Sequence, residues 1–491
     1  MLYIVKREIQ IFSTALIIAA QSIIACTSNS KLTSSHEIIV GLGSRPLTLD
    51  PRLATDANSE RITDLTFHSV ARIDHDLKTV PYGVKSWKVE NNKIDLTLDN
   101  SLHFHDGSPV TAEDILFSFK EYMKPASPFA AQFETIANVT TTNNHVILKL
   151  KKPDGALLTN LVYIKILKKS DVPAEILQGT GPYILLSHDL NETVLQKSKD
   201  PQQNKIKFRI VRDDNTRFLK MLHGDIDLVI NELPEEKVLE LQQNGHFQVV
   251  VSPGLNFNYL LLNFQNPLIS NLEFRRALLS SISRDDIVTY KLEGLAQTAT
   301  SLLAPINPFA KKDVKLNFSP AEKIKDLITS HGWNHTQISL KSSDQASANG
   351  EFITGELRQK GFNVIFQNYE WGTYYNDIKN GLFDLALMRW VGIVDPDIYR
   401  ESLESHEFPP GKNRGRYSNK IFDEIATKAR YTMDPQTRHR LYDQLQDIFA
   451  EDLPVIPLWY NSNISVLSKR IKNFDPWPAG SFYSLLSVTK E

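Results

Sequence analysis

The sequence predicts an α/β protein made of two lobes that are joined by more than one crossing strand. Three observations lead to this fold class. Residues from about 83 to 179 carry the period-2 alternation of a half-buried antiparallel sheet around one helix, so they form a small α+β unit. Residues 319–390 alternate helix and strand three times, which favours right-handed crossovers and a mainly parallel sheet. An apolar strand at 455–460 then brings the chain back.

The N-terminal segment is predicted to direct export and to tether the folded body. Lys6 and Arg7 precede an apolar run over residues 9–25, the order found in secretory signals. The run is too short to span a membrane comfortably. Cys26, the one cysteine among 491 residues, follows it directly. We therefore expect a signal peptide at 1–25 and a flexible tether at 26–36. The alternative is an ordinary cleaved signal, or a short anchor, with an incidental cysteine.

The composition points to a large globular protein and excludes several classes of function. Apolar residues make up 41% of the chain and charged residues 23%, which is typical of globular chains. The net charge of −2 gives no electrostatic case for a nucleic-acid partner. The sequence contains no G-x-S-x-G and no H-E-x-x-H, so we expect neither an enzyme nor a resident metal or cofactor. His103 and His105 have a spacing that can bind a metal, but this pair alone is a weak signal.

The first half of the chain contains one clear helix start. Thr111 and Asp114 have the spacing of a capping box, in which each side chain bonds the backbone N–H of the other residue. A second helix is bounded by Pro234 and Gly245, the proline-first and glycine-last arrangement. The other helices expected here are 58–71 and Asn215–Gly224. The expected strands are Glu37–Gly41, segments between about 85 and 105, His145–Leu150, Ile184–Ser187, Thr193–Gln196, Ile206–Val211, Ile226–Ile230 and Phe247–Val251.

The second half is punctuated by glycines that follow helical patterns. A helix is expected from Ser319, as N-cap with Pro320 in the first turn and Glu322 as a capping residue, to Gly332. The other expected helices are Asn271–Ser281, Asp285–Glu293, Glu351–Lys360, Thr373–Asn380, Lys420–Tyr431 and Pro435–Ala450. The expected strands are Ile338–Lys341, Asn363–Gln367, Phe383–Trp390 and Val455–Tyr460.

Five stretches, in order along the chain, resemble one protein family. They are Leu49–Pro51, the segment Phe104–Asp114 (FHDGSPVTAED), Gly179–Tyr183 (GTGPY), Phe274–Leu278 with Ile282–Val288, and Tyr417–Asn419 with Arg438 and Pro454–Leu458. The mature chain is therefore similar to extracellular solute-binding protein family 5, the binding proteins of peptide, nickel and related ABC importers. In addition, Ile23–Cys26 is similar to the bacterial lipobox, whose cysteine receives diacylglycerol.

The resemblance implies a two-lobe periplasmic-binding-protein fold with three subdomains, mixed sheets and hinge-connected lobes. Lobe I would comprise 37–82, 180–258 and 463–491, the inserted subdomain 83–179, and lobe II 259–462. Candidate hinges are Tyr259–Asn263 and Trp459–Asn463, which would absorb the torsion changes of closure. The resemblance also implies a monomer in the periplasm or cell envelope. It would be held on the membrane through Cys26 and would work with an ABC permease of the inner membrane.

The candidate ligand contacts lie mainly in the loop that follows the predicted strand Phe383–Trp390. Trp390 matches a tryptophan that lines a side-chain pocket in peptide-binding relatives, whereas Ile393 stands where those relatives have an aspartate that holds the peptide amino group. Asp395 could replace that aspartate or cap the turn at Pro396. The other candidates are Arg389, which could instead form a structural ion pair, Trp371, which could be core, Asp56, Asn256, Phe257 and Asn258.

These residues favour a lipid-anchored binding protein for oligopeptides or peptide-like solutes. A nickel chelate or another small solute is the main alternative ligand, because the amino-group aspartate is missing. A second alternative is a sensor or chaperone that kept the closing fold without transport.

Overall fold

The computed structural model describes residues 37–90, 92–171, 177–199, 205–478 and 480–491, so the predicted signal, tether and Cys26 lie outside the described residues. The strands are β1 (Glu37–Leu42), β2 (Ala71–Ile73), β3 (Thr79–Pro81), β4 (Val84–Glu90), β5 (Lys93–Leu98), β6 (Ile136–Thr142), β7 (His145–Leu150), β8 (Tyr183–His188), β9 (Glu192–Lys197), β10 (Lys205–Ile210), β11 (Leu228–Ile230), β12 (Phe247–Leu262), β13 (Ala296–Thr298), β14 (Ile338–Ser343), β15 (Val364–Tyr369), β16 (Leu385–Trp390), β17 (Val455–Ser468), β18 (Ile471–Lys472) and β19 (Thr489–Lys490).

Helices occur along the whole chain, and in its second half they alternate with the strands. They are α1 (Ala57–Thr66), α2 (Ala112–Tyr122), α3 (Leu157–Asn160), α4 (Asp214–Leu222), α5 (Glu235–Asn244), α6 (Pro267–Ser270), α7 (Leu272–Ser280), α8 (Arg284–Asp286), α9 (Ile324–Ser330), α10 (Ser347–Lys360), α11 (Trp371–Asn380), α12 (Ile398–Leu403), α13 (Lys420–Arg430) and α14 (Pro435–Asp452). Among the described residues, no helix is long and apolar enough to cross a membrane.

A mixed sheet runs through the molecule in the order β15-β14-β16-β12-β17-β11-β1-β10-β9-β8. The strands β14, β15 and β16 are parallel, as the helix–strand alternation predicted. The long strands β12 and β17 are antiparallel partners and lie at the centre of the order. The first half of β12 pairs with the part of β17 that also pairs with β11, and its second half pairs with β16. The strands β12 and β17 therefore connect the two ends of the sheet.

The pairing of the two long strands is interrupted near its middle. The register between β12 and β17 shifts between Ser252 and Asn256, opposite Asn461 and Asn463. Gly254 lies in the interruption, where an added Cβ would come within 2.0 Å of the Asn461 carbonyl oxygen. The expected hinge segment Tyr259–Asn263, by contrast, pairs regularly with β16 through Leu262. The pairing with β17 shifts register a second time between Asn258 and Tyr259, so irregular pairing also reaches the start of the first predicted hinge.

A separate four-stranded antiparallel sheet, β4-β5-β7-β6, packs with α2 around its own apolar core. Ile94, Leu96, Val146 and Leu148 are fully buried on one face of this sheet, which is the alternation seen in the sequence. The helix α2 begins as predicted: Thr111 accepts from the Asp114 N–H, and the Asp114 carboxylate accepts from the Thr111 N–H at 3.0 Å.

Several expected elements differ from the structure, among them the strand expected at Val455–Tyr460, which continues to Ser468. The helix predicted over 58–71 ends at Thr66, because the following residues bond to the turn at residues 180–181. The expected capping box at Ser319 is absent among the described contacts, and a 3₁₀ turn precedes α9 there. The segment expected as the helix Asp285–Glu293 is α8 followed by a π-helical turn at Ile287–Lys291. The strand expected at Phe247–Val251 continues to Leu262, because its second half pairs with β16 and β17.

Candidate functional site

A cavity of about 380 Å³ lies between segments that are far apart in the chain. Its walls come from residues 57–73, 156–165, 390–401 and 477–483, with Lys412 and Arg430. These segments belong to all three subdomains that the sequence predicts. The volume falls within the range of about 300–1,000 Å³ that is typical of small-molecule sites.

The wall formed by α1 is charged, because helical spacing places two acidic residues on the same face. Asp56 caps this helix: its carboxylate accepts from the Ser59 N–H at 3.0 Å and from the Leu47 N–H at 3.3 Å. Glu60 and Asp64 are four residues apart, so they lie on one face of the helix, and both line the cavity. Arg61 lies beside them, and Arg72 reaches the same cavity from β2.

The facing wall is the loop that follows β16, at the carboxyl end of a parallel strand, where ligands bind in open α/β sheets. Two asparagines hold its backbone. The Gly392 N–H donates to Asn256 Oδ1 at 2.9 Å, and Asn307 Nδ2 donates to the Val394 carbonyl oxygen at 2.8 Å. Gly392 has φ of +63°, a conformation that suits glycine. The loop therefore presents Trp390 and its apolar neighbours from a fixed backbone.

Most charged side chains of the cavity are neutralised by the protein itself. The ion pairs are Asp64 with Lys165, Asp395 with Arg438 (2.6 Å), Asp397 with Arg400 and Arg430 (3.2 Å each), Arg430 with Asp154 (3.0 Å), and Glu401 with Lys412. These pairs fix the walls, since each side chain has a partner on another turn or segment.

Three charged groups of the cavity form no ion pair with a described residue: Glu60, Arg61 and Arg72. Burial, and then the nearby charge of Asp64, raises the pKa of Glu60 to about 6. Burial also lowers the pKa of Arg61. Arg72 lies over the ring of Tyr82, with 4.8 Å from Cζ to the ring centroid, and its Nε is buried without a hydrogen-bond partner.

Two of the residues predicted as ligand contacts line the cavity, Trp390 and Asp395. The Trp390 ring is half-buried, and Arg414 Cζ lies 5.3 Å from its centroid. Asp395 is already engaged by Arg438 and by the Asp397 N–H at 2.8 Å, so it combines an ion pair with the turn-capping role that the sequence allowed. Ile393, which the resemblance places where peptide-binding relatives have an aspartate, is only 5% exposed.

The other predicted contacts have different positions and are not among the described residues that line the cavity. Asp56 is the cap of α1, and Asn256 holds the loop at Gly392. Phe257 is fully buried between Tyr259 and Tyr460, while Asn258 donates to Asn461 Oδ1 at 2.6 Å. Arg389 is exposed on the strand face opposite Trp390 and forms no ion pair with a described residue. Trp371 is 51% exposed and stacks on Tyr375.

Sequence reasoning missed Glu60, Arg61 and Arg72. The signal that could have found the acids is the i, i+4 spacing of Glu60 and Asp64 directly after the Asp56 cap. No sequence pattern marks Arg72, because its position in the cavity depends on a three-residue strand.

The histidine pair of the small sheet is bonded to backbone. His105 Nε2 lies 2.9 Å from the Gly181 carbonyl oxygen, and His103 Nδ1 lies 2.9 Å from that of Ser101. Within the described part of the chain, no group of three or more metal-type ligands comes together. The described lining of the cavity contains neither histidine nor cysteine.

Comparison with known proteins finds relatives that match nearly the whole chain. The dipeptide-binding protein of Pseudomonas aeruginosa is 25% identical over 496 residues, which cover 90% of this chain and 93% of that protein. The crystal structure of DppA from Helicobacter pylori in complex with the peptide STSA has a TM-score of 0.78 at 23% identity and covers 92% of this chain and 98% of that one. NikZ of Campylobacter jejuni in complex with Ni(L-His) has a TM-score of 0.79 at 20% identity, with 93% and 100% covered.

These structural neighbours share the two-lobe fold of periplasmic solute-binding proteins, as the sequence predicted. The model of the family described as bacterial extracellular solute-binding proteins, family 5 Middle, matches residues 78–407, more than half of the chain. The chain therefore belongs to family 5 of the bacterial extracellular solute-binding proteins.

Proposed function

We propose that this protein is the substrate-binding lipoprotein of an ABC importer, which captures short peptides or peptide-like solutes and delivers them to a permease in the inner membrane. The observation that carries the proposal is the cavity, which has a charged wall on α1, an aromatic and apolar wall after β16, and a volume of about 380 Å³. This volume lies near the lower end of the range for small-molecule sites, so it favours ligands of a few residues. Relatives named for dipeptide and peptide binding support the same class.

The domain boundaries expected from the sequence are part of the proposal: lobe I at 37–82, 180–258 and 463–491, an inserted subdomain at 83–179, and lobe II at 259–462. The separate apolar core of the small sheet supports the second unit, although Phe67 and Val70 also pack into that core. The register interruption between β12 and β17 is where we expect the lobes to hinge.

Native mass spectrometry of the purified, signal-free protein tests the ligand class. Gentle denaturation should release short peptides that copurified in the cavity. Release of a nickel chelate or of another single small solute would instead support the alternative that the missing aspartate leaves open. A protein that neither releases nor binds any peptide from a defined mixture would contradict the proposal.

Trp390→Ala is expected to weaken peptide binding about tenfold or more. The ring forms part of the apolar wall, and a buried aromatic side chain supplies a large contact area. Isothermal titration calorimetry with a peptide identified by mass spectrometry would measure the change. Trp371→Ala is the matched control, because that ring is 51% exposed and is not among the described lining residues. Equal affinity losses in both variants would contradict the role of Trp390.

Cys26→Ser is expected to release the protein from the membrane fraction. The proposed anchor is a diacylglycerol on the Cys26 sulfur, and serine has no thiol to carry it. Fractionation of cells and the mass of the N-terminal peptide would measure the change. Thr27→Ser is the control, since it alters the neighbouring residue and keeps the thiol. A wild-type protein whose N-terminal peptide lacks the lipid mass would support the alternative of an ordinary cleaved signal.

A further inference from the structure

The α1 side of the cavity carries charged groups that form no ion pair with a described residue. Glu60, Arg61 and Arg72 form no ion pair with a described residue, whereas Asp64 and Asp395 each have a cationic partner at salt-bridge distance. The unpaired set is therefore one carboxylate and two guanidinium groups. Partly buried charges without partners are unfavourable, so such a set is more stable when a ligand supplies the opposite charges.

The two arginines lie over aromatic rings and form no ion pair with a described acid, although Glu232 and Glu60 are near enough to act on the charge of Arg61. Arg61 Cζ lies 5.6 Å from the centroid of Phe482. Arg72 Cζ lies 4.8 Å from that of Tyr82 and 5.8 Å from that of Trp477. Stacking on rings leaves the edges of a guanidinium free to donate hydrogen bonds, and carboxylates are the acceptors that match its fork. Consistently, Arg72 Nε has no acceptor.

The opposite wall offers no comparable charge. Trp390, Ile393, Val394 and Ile398 line it. Its acids are all paired: Asp395 with Arg438, Asp397 with Arg400 and Arg430, and Glu401 with Lys412. Charged ends of a ligand are therefore recognised from the α1 side, and the loop after β16 contributes apolar contact.

We propose that the cavity selects short peptides with one ammonium group and two carboxylates, in which Glu60 binds the ammonium and Arg61 and Arg72 bind the carboxylates. A dipeptide with one acidic side chain has this set of charges. This inference rests on the proposed function of peptide capture and adds to it the charge of the ligand and the residues that read it. Glu60 then takes the role that Asp395 cannot take while it is paired with Arg438.

Calorimetry with four probes tests the inference on the signal-free protein after removal of bound ligand: Ala-Glu, Ala-Gln, Ala-Lys and N-acetyl-Ala-Glu. We expect Ala-Glu to bind at least about tenfold more tightly than Ala-Gln, and also more tightly than Ala-Lys. Acetylation of the amino group should weaken binding about 30-fold or more, since it leaves Glu60 without a cation. Binding of all four probes with equal affinity would overturn the charge inference and leave peptide capture intact. Failure of every peptide to bind would overturn both.

Variants separate the two roles. Glu60→Gln should remove the discrimination against N-acetyl-Ala-Glu, and Arg72→Gln should remove the preference for Ala-Glu over Ala-Gln. Glu240→Gln, an exposed residue of α5, is the control and should change neither ratio. A Glu60→Gln protein that still rejects the acetylated probe would overturn the assignment of the ammonium to Glu60.

A pH titration of the wild-type protein gives an independent measurement that needs no variant. Asp56, Asp64, Arg61 and Lys165 are the charged groups that act on Glu60. Only the ionised carboxylate attracts an ammonium, and the pKa of Glu60 is raised to about 6. The preference for Ala-Glu over N-acetyl-Ala-Glu should therefore fall about tenfold between pH 7.5 and pH 5. A preference that is unchanged over this range would overturn the assignment.

Discussion

Replacing Asp154 with alanine is expected to destabilise the contact between the small sheet unit and α13 by about 3–5 kcal/mol. The Asp154 side chain is fully buried, and its carboxylate accepts from Arg430 at 3.0 Å, from Thr135 Oγ1 at 2.7 Å and from the Ala156 N–H at 3.0 Å. Arg430 is only 7% exposed and would keep one acid, Asp397. The loss is large because an arginine and a backbone N–H remain buried with fewer partners.

Urea unfolding followed by tryptophan fluorescence, combined with small-angle scattering, measures this effect. If the whole protein is destabilised, the unfolding midpoint falls. If only the contact between the proposed subdomain and lobe II is lost, the radius of gyration increases because the open population grows. Asp447→Ala is the control, since Asp447 is half exposed and pairs with Lys311 at the surface, where such pairs contribute about 0–1 kcal/mol. An Asp154→Ala protein with unchanged midpoint and radius would contradict the prediction.

Asp154→Ala with Arg430→Met tests whether the uncompensated charge is the cause. Removing both members of a buried pair costs less than removing one, because no unpaired arginine remains. The double variant should therefore be more stable than Asp154→Ala alone. A double variant that is less stable would assign the loss to packing.

Gly179→Ala is expected to lower the free energy of unfolding by about 3 kcal/mol or more. An added Cβ would come within 1.9 Å of the Thr66 carbonyl oxygen at the end of α1 and within 2.9 Å of His105 Cε1. The same Thr66 oxygen accepts from the Gly181 N–H at 2.9 Å, and the Gly179 oxygen accepts from the His105 N–H at 2.9 Å. A methyl group there must displace the backbone and weaken these bonds.

Gly355→Ala is the matched control for this change. Gly355 lies inside α10, where an added Cβ meets nothing within 4 Å, so alanine should stabilise the protein by about 0.5–1 kcal/mol. Urea unfolding of the two variants should shift in opposite directions. If Gly179→Ala unfolds at the wild-type urea concentration, the close approach to Thr66 does not constrain the turn.

The helix starts and ends that depend on neighbouring residues were predicted from the sequence. The capping box of Thr111 and Asp114 forms, and Gly245, Gly361 and Gly381 end helices with positive φ. These signals are informative because cap and turn energies involve atoms only a few residues apart, although the capping box expected at Ser319 does not form among the described contacts. The end of α1 was missed because residues beyond Thr66 bond to a turn more than 100 residues later.

The site was predicted only in part for the same physical reason. Trp390 follows a strand that local alternation identifies, and the position after a parallel strand makes it a candidate. In the sequence Phe257 is also an aromatic candidate on a strand. In the structure β16 and β17 pair on the two sides of that strand, and the Phe257 ring is buried. Asp395 is a candidate ligand in the sequence, but in the structure Arg438, 43 residues later, pairs with it.

The sequence by itself determined the α/β class, the small antiparallel unit, the parallel segment of the main sheet and, through its motifs, the family. These features follow from short-range periodicity and caps, which the chain carries in every conformation it samples. Only the tertiary structure decided which charges of the cavity form ion pairs within the protein and which do not. Ion pairing depends on distances of a few ångströms between residues far apart in the sequence, so Glu60, Arg61 and Arg72 become a distinct group only when the cavity forms.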